Sequence, residues 1–171
     1  MNIKATVRHA RKNMSAYQRR RKMTDITGVM TQDHRHCDEY FAEAENACLD
    51  GDWTRTEQAF ERFATALEEH FGLEEGMLFP RFEEATGMTS GPTAMMRMEH
   101  QDLRAQVEEM RAAIARQDAD AYSGESETLL IMMQQHNMKE ENILYPMCDT
   151  RISDAAETAG TLAKRLAEAG A

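Results

Sequence analysis

His70 and Glu74 are four residues apart, and so are His136 and Glu140, the stride that puts two side chains on one face of a helix. Each pair offers an imidazole nitrogen and a carboxylate oxygen to one point. That donor set suits a divalent or trivalent transition metal better than calcium or magnesium. Two such points imply a paired site. Two lone histidines, His34 and His100, complete six candidate ligands: two histidines for each of two metals, with Glu74 and Glu140 able to bridge. Imidazole and carboxylate together suit iron, while zinc and manganese are less well excluded.

The segments that carry these residues repeat. A shift of sixty-six residues, with no gap, lays His34 on His100, His70 on His136, Glu74 on Glu140 and Pro80 on Pro146. Asp33-His34 falls on Glu99-His100, and Glu74-Glu75-Gly76-Met77-Leu78-Phe79-Pro80 falls on Glu140-Glu141-Asn142-Ile143-Leu144-Tyr145-Pro146. Four of the six histidines obey this repeat. Thr24 and Ser90, equivalent under the same shift, are expected to cap the first helix of each copy.

Between these marks the pattern is helical. Ile26, Val29, Met30, His34, Cys37, Phe41 and Ala44 recur every three or four residues, as one buried helix face requires. Asp50-Gly51-Asp52 is a turn cluster, and Thr54 with Glu57 is expected to open the second helix as a capping box. That helix buries Phe60, Phe63, Leu67, His70, Phe71, Glu74 and Leu78, and Pro80 should end or kink it about one residue earlier. After a polar connection from Thr86 to Pro92, a third helix is expected from about Gly91 to Arg116 with Met95, His100, Leu103, Val107, Met110 and Ile114 inward. A fourth starts around Asp118 to Ser123 and carries Leu129, Met132, Met133, His136, Glu140 and Leu144. His34 is seventeen residues before Gly51 and His70 nineteen after it. At 1.5 Å per residue both lie roughly 25 to 29 Å from the turn, so antiparallel helices bring them to one level.

The expected fold is therefore all-α: an up-down-up-down antiparallel four-helix bundle with an internal two-fold repeat. It spans 24–150, after a basic N-terminal arm (1–23) and before an amphipathic C-terminal helix (151–171). In that last helix Asp154 and Glu157 form a possible capping box, Ile152, Ala155, Ala159, Leu162 and Leu166 make the apolar face, and the helix is expected to pack outside the bundle and ligate nothing. A chain of 171 residues is long enough for one such domain. The net charge of −10 is divided. Residues 1–24 hold eight Lys or Arg and no acid, leaving 12 basic against 30 acidic side chains in the rest. An acidic body repels phosphates, which argues against nucleic acid as a partner. No run of apolar residues is long enough to cross a membrane. Cys37, Cys48 and Cys148 are odd in number without CxxC spacing, which points to free thiols in the cytoplasm.

A lone helical His followed by His-x-x-x-Glu, given twice, resembles the hemerythrin-like, or HHE cation-binding, family over about residues 24–148. Asp33-His34-Arg35-His36-Cys37-Asp38 is similar to its first-helix motif, and Glu74 to Pro80 to its second-helix ending. The ferritin-like carboxylate proteins instead use Glu-x-x-His, with the opposite order and a three-residue stride. The hemerythrin resemblance implies a non-haem di-iron centre, oxo- or hydroxo-bridged, held by His34, His70, Glu74, His100, His136 and Glu140. Oxygen-carrying members have a histidine where this chain has Arg104, so the resemblance implies binding or reduction of a small oxidant (O2, NO or peroxide) in sensing, storage or stress protection. An oxygen carrier, or a metal-stabilised signalling module without turnover, is the alternative.

Smaller features have their own readings. His36 belongs on the surface and Cys37 in the core as a small hydrophobe. Asp38 and Arg104, equivalent under the repeat, either pair with each other across the pseudo-two-fold or serve in surface ion pairs.

Overall fold

The structure is a computed structural model that describes residues 24–169, and within them every regular element is a helix, with no strand. The basic arm expected at 1–23 lies outside the described residues. The first helix, α1 (Ile26–Leu49), buries Ile26, Val29, Met30, His34, Cys37, Phe41, Ala44 and Ala47 on one face. Its N-cap is Asp25, one residue after the expected Thr24, with a carboxylate oxygen accepting the Gly28 N–H at 2.8 Å. The Asp149 carboxylate accepts the N–H groups of Ile26 and Thr27, at 2.8 and 3.1 Å. A partner 123 residues away in sequence thus ties down donors that have no partner within the helix.

Gly51 turns the chain at φ +74°, a conformation glycine adopts without strain. Asp52 then caps α2 (Trp53–Leu73) through the Arg55 N–H at 3.0 Å. This displaces the expected capping box, because Thr54 already lies inside the first turn. As residue numbers rise along α1 their partners on α2 fall. Asp33 meets His70, Phe41 meets Phe63 and Glu43 meets Arg62, so the two helices run antiparallel.

Pro80 does not stop the second helix. A π-helical turn, π1 (Glu74–Leu78), follows α2 directly, and α3 (Phe79–Thr86) continues to Gly87, which is left-handed at φ +72°. In π1 the Phe79 N–H reaches back to the Glu74 carbonyl, five residues away. The hydrogen-bond ladder therefore shifts just before the residue that has no N–H and whose ring would meet an α-helical carbonyl four residues back.

The second copy repeats the plan with α4 (Pro92–Arg116), α5 (Ala119–Lys139), π2 (Glu140–Leu144) and α6 (Tyr145–Arg151). Glu99 meets His136 and Gln106 meets Glu125, so this pair too is antiparallel. Ser90 does not cap α4. Gly91 holds that position, without a side-chain bond, and proline opens the helix, where its missing N–H removes no intrahelical bond. The inward methionine is Met96, at 2% exposure, whereas Met95 is 53% exposed. One residue is about 100° of rotation, enough to exchange the two. Asp118 caps α5 through the Ala121 N–H.

Two apolar clusters fill the interior. One contains Phe41, Phe60, Phe63, Phe71, Leu103, Met110 and Leu129; the other contains Ile26, Met30, Phe79, Phe82, Leu144 and Tyr145. Ala159 and Leu162 of α7 (Ala155–Ala169) belong to the second. The C-terminal helix thus packs its apolar face against that end of the interior. Between the clusters lies the layer of histidines and glutamates. None of the helices among the described residues is long and apolar enough to cross a membrane.

Candidate metal centre

All six candidate ligands are at most 4% exposed. They form two groups with one shared member. Glu74, His100, His136 and Glu140 bring four donor atoms within 4.8 Å of one another, and His34, His70 and Glu140 bring three. Within the first group His100 Nε2 is 3.3 Å from Glu74 Oε2, and His136 Nε2 is 3.2 Å from Glu140 Oε2. Within the second, His34 Nε2 is 3.0 Å from His70 Nε2 and 3.3 Å from Glu140 Oε2. The stride of four brings each His-Glu pair together as expected, and both π turns begin at the glutamate of the pair.

Four outer carboxylates, to which sequence reasoning assigned no role, orient the rings. His70 Nδ1 is 2.8 Å from Asp33 and His136 Nδ1 is 3.0 Å from Glu99; His34 Nδ1 is 2.9 Å from Glu141 and His100 Nδ1 is 2.7 Å from Glu75. An ionised carboxylate only accepts, so each ring carries its N–H on Nδ1 and directs Nε2 inward. This arrangement is characteristic of metal-ligating histidine. Phe71 stacks on His100 with ring centroids 3.9 Å apart. The signal for the outer carboxylates was present in the sequence, since an acid precedes each lone histidine and follows each ligand glutamate in both copies.

Tyr145 is the other residue the sequence did not single out. Its hydroxyl oxygen lies 2.7 Å from Glu74 Oε1, 2.9 Å from Glu140 Oε2, and 3.2 and 3.3 Å from the Nε2 atoms of His34 and His70. The equivalent position in the first copy is Phe79, which packs near His100.

Protons hold this cluster of like charges together. Burial would lower the His34 pKa, but bonds to Glu140 and Glu141 and the nearby carboxylates outweigh it and raise it to about 10. Burial and then repulsion from Glu140 push Glu74 up to about 8. The Glu140 carboxyl, although burial opposes its charge, is held well below the usual range by His136 and His34. One carboxyl keeps its proton and the other is ionised, as expected for two acids in one buried site. Burial, followed by the charges of Glu140 and Glu74, pushes the Tyr145 phenol well above its ordinary value, so it stays a donor.

The two groups differ in what is satisfied. Glu74 Oε2, His100 Nε2, His136 Nε2 and Glu140 Oε1 are buried without a hydrogen-bond partner. Leaving such atoms unpaired costs about 1–3 kcal/mol each. Four atoms from four residues, all facing one point, are a donor set that a cation would satisfy.

Arg104 does not pair with Asp38. Its guanidinium is held by Glu68, at 2.7 and 2.8 Å, and by Glu75 at 3.0 Å, so the surface ion pair prevails, at a place that also steadies His100. His36 is on the surface, with a half-exposed side chain. Cys37 is buried and burial raises its thiol pKa, which leaves it an inert filler.

Searches of curated proteins and of solved structures found no significant match. The family model for the hemerythrin HHE cation-binding domain matches residues 25–148, the stretch that contains both histidine–glutamate pairs, both lone histidines and all four outer carboxylates. The chain belongs to the hemerythrin HHE cation-binding domain family.

Proposed function

We propose that this chain is a non-haem di-iron protein that binds or reduces a small oxidant (O2, NO or peroxide) for sensing, storage or stress protection. The supporting observation is the layer of six buried donors, two groups joined through Glu140, in which four buried atoms of one group lack a hydrogen-bond partner. Imidazole nitrogen with carboxylate oxygen, and no thiolate among the donors, is a set that suits iron. In this reading the two antiparallel pairs form an up-down-up-down four-helix bundle, and the protein works in the cytoplasm.

Two irons held by His34, His70, Glu74, His100, His136 and Glu140 would supply one-electron chemistry and coordination positions open to a small molecule. The chain's own residues do the rest. Asp33, Glu99, Glu75 and Glu141 hold the four imidazoles in the tautomer that presents Nε2. Phe71, Leu103, Phe79 and Leu78, each at most 1% exposed, keep water from the layer. Tyr145 keeps its phenolic proton on an oxygen 2.7 Å from Glu74 and 2.9 Å from Glu140, within reach of a small molecule bound between them. Arg104 is turned to Glu68 and Glu75, which favours reaction over the histidine-rich arrangement of an oxygen carrier.

The test is metal content and optical spectrum on anaerobically purified protein, before and after O2 or NO. About two irons per chain, with near-ultraviolet bands that change on gas addition, is the expected result. A single zinc with no spectral response overturns the reading.

A further inference from the structure

The sixty-six-residue repeat breaks at two positions beside the outer carboxylates, and both breaks put positive charge on the same side. Arg104 stands where the first copy has Asp38, and Lys139 where it has Leu73. Arg104 binds Glu75, the carboxylate on His100, and Lys139 binds Glu99, the carboxylate on His136. Both outer acids on that side are therefore neutralised.

On the other side, among the described residues, no Lys or Arg forms an ion pair with Asp33 or Glu141. Among the described residues Glu141 has His34 as its ion-pair partner, and Asp33 has His70 and the ring of His36 at 3.9 Å. Asp38 takes the place of an arginine near Glu141 and adds a further acid; packing and the Glu141 charge both raise its pKa, against a lowering by His34 and Arg35.

Each ring-orienting carboxylate of one half is thus paired with a Lys or Arg, Arg104 being shared with Glu68, whereas among the described residues neither ring-orienting carboxylate of the other half is. An imidazole donating to a free carboxylate is a stronger donor than one donating to a neutralised carboxylate, and a negative surround favours the more highly charged cation. We propose that the two metal positions have unlike preferences: the His34–His70 position takes a trivalent cation and the His100–His136 position a divalent one, with Arg104 and Lys139 setting the difference. The inference rests on the two-metal reading above.

The test uses gallium(III) and zinc(II), which involve no redox chemistry. Full-length protein is loaded with both, and anomalous scattering at each edge gives the occupancy of each metal at each position. About a tenfold enrichment of gallium over zinc at His34–His70, reversed at His100–His136, is expected, the scale on which outer partners alter metal affinity. Replacing both cations, Arg104→Met with Lys139→Met, should reduce the enrichment to about twofold. Asp38→Arg, which completes the repeat on an exposed helix position, should weaken it independently. Arg111→Met, which removes a cation paired with Glu61 eleven residues along the helix from His100, should leave the preference in place. Even occupancy in the parent protein overturns the inference while leaving the two-metal reading intact, as does a preference that survives loss of both cations or vanishes with Arg111. Absence of both metals from both positions overturns the two together.

Discussion

The two halves of the buried donor layer share a plan and differ in what completes it. His34 and His70 contact each other, Glu140 and the Tyr145 hydroxyl. His100 and His136 face Glu74 and Glu140 with Nε2 atoms that have no hydrogen-bond partner, beside Phe71 and Phe79. Three departures from the repeat account for the contrast: Tyr145 against Phe79, Lys139 against Leu73, and Arg104 against Asp38. A duplicated scaffold places equivalent donors at equivalent points. A few unmatched neighbours are then enough to make the two points chemically distinct, because electrostatics inside a buried layer is only weakly screened.

Removing what the halves share should have the largest effect. Glu140 belongs to both donor groups, so Glu140→Ala should reduce bound metal from about two per chain to less than one, measured by elemental analysis. His34→Ala or His100→Ala should each cost about one. Retention of two metals without Glu140 would show that the halves are independent.

The histidines at equivalent positions, His34 and His100, should titrate in opposite directions in metal-free protein. The folded pKa of His34 is raised from 6.5 to about 10. Its contribution to stability is therefore fully present below about pH 6.5 and lost as pH rises through about 10. The folded pKa of His100 is lowered from 6.5 to about 4, first by burial and then by the His136 charge. Its contribution is present above about pH 6.5 and lost as pH falls towards 4. Nitrogen-15 spectra of the imidazoles at pH 8 should show His34 charged and His100 neutral; matching titrations would erase the comparison.

Tyr145→Phe makes the first difference disappear. In metal-free protein it should cost about 1–3 kcal/mol, the price of leaving buried carboxylate oxygens without their donor, read as a lower urea midpoint. An unchanged midpoint would mean that the hydroxyl is not holding the carboxylates. Smallest of all, His36→Ala should leave metal content and stability within about 0.5 kcal/mol of the parent, since a half-exposed ring bonded to Gln32 lies outside both groups. A loss of metal there would make His36 a seventh ligand.

The antiparallel pairs and the six buried side chains were legible in the sequence because each rests on local, periodic information: apolar residues every three or four, a turn at Asp50-Gly51-Asp52, and equal distances from turn to histidine. Helix starts were less legible. Thr24, Ser90 and Thr54 all have capping chemistry, but Asp25, Gly91 and Asp52 take those places, because the cap is chosen by how the helix must be rotated to bury its stripe. Pro80 reads as a point where the helix ends or kinks, and the chain instead carries on after a one-residue shift of the ladder, as it also does before Pro146.

The sequence by itself determined that histidine and glutamate would meet in pairs, since a stride of four is a property of one helix. Only the tertiary structure decided which acid orients which ring. His34 finds Glu141 across 107 residues and His100 finds Glu75 across 25, contacts set by how separate helices pack, with no period in the chain to announce them. It also decided that Tyr145, the counterpart of Phe79 under the repeat, places its one polar atom among the candidate ligands.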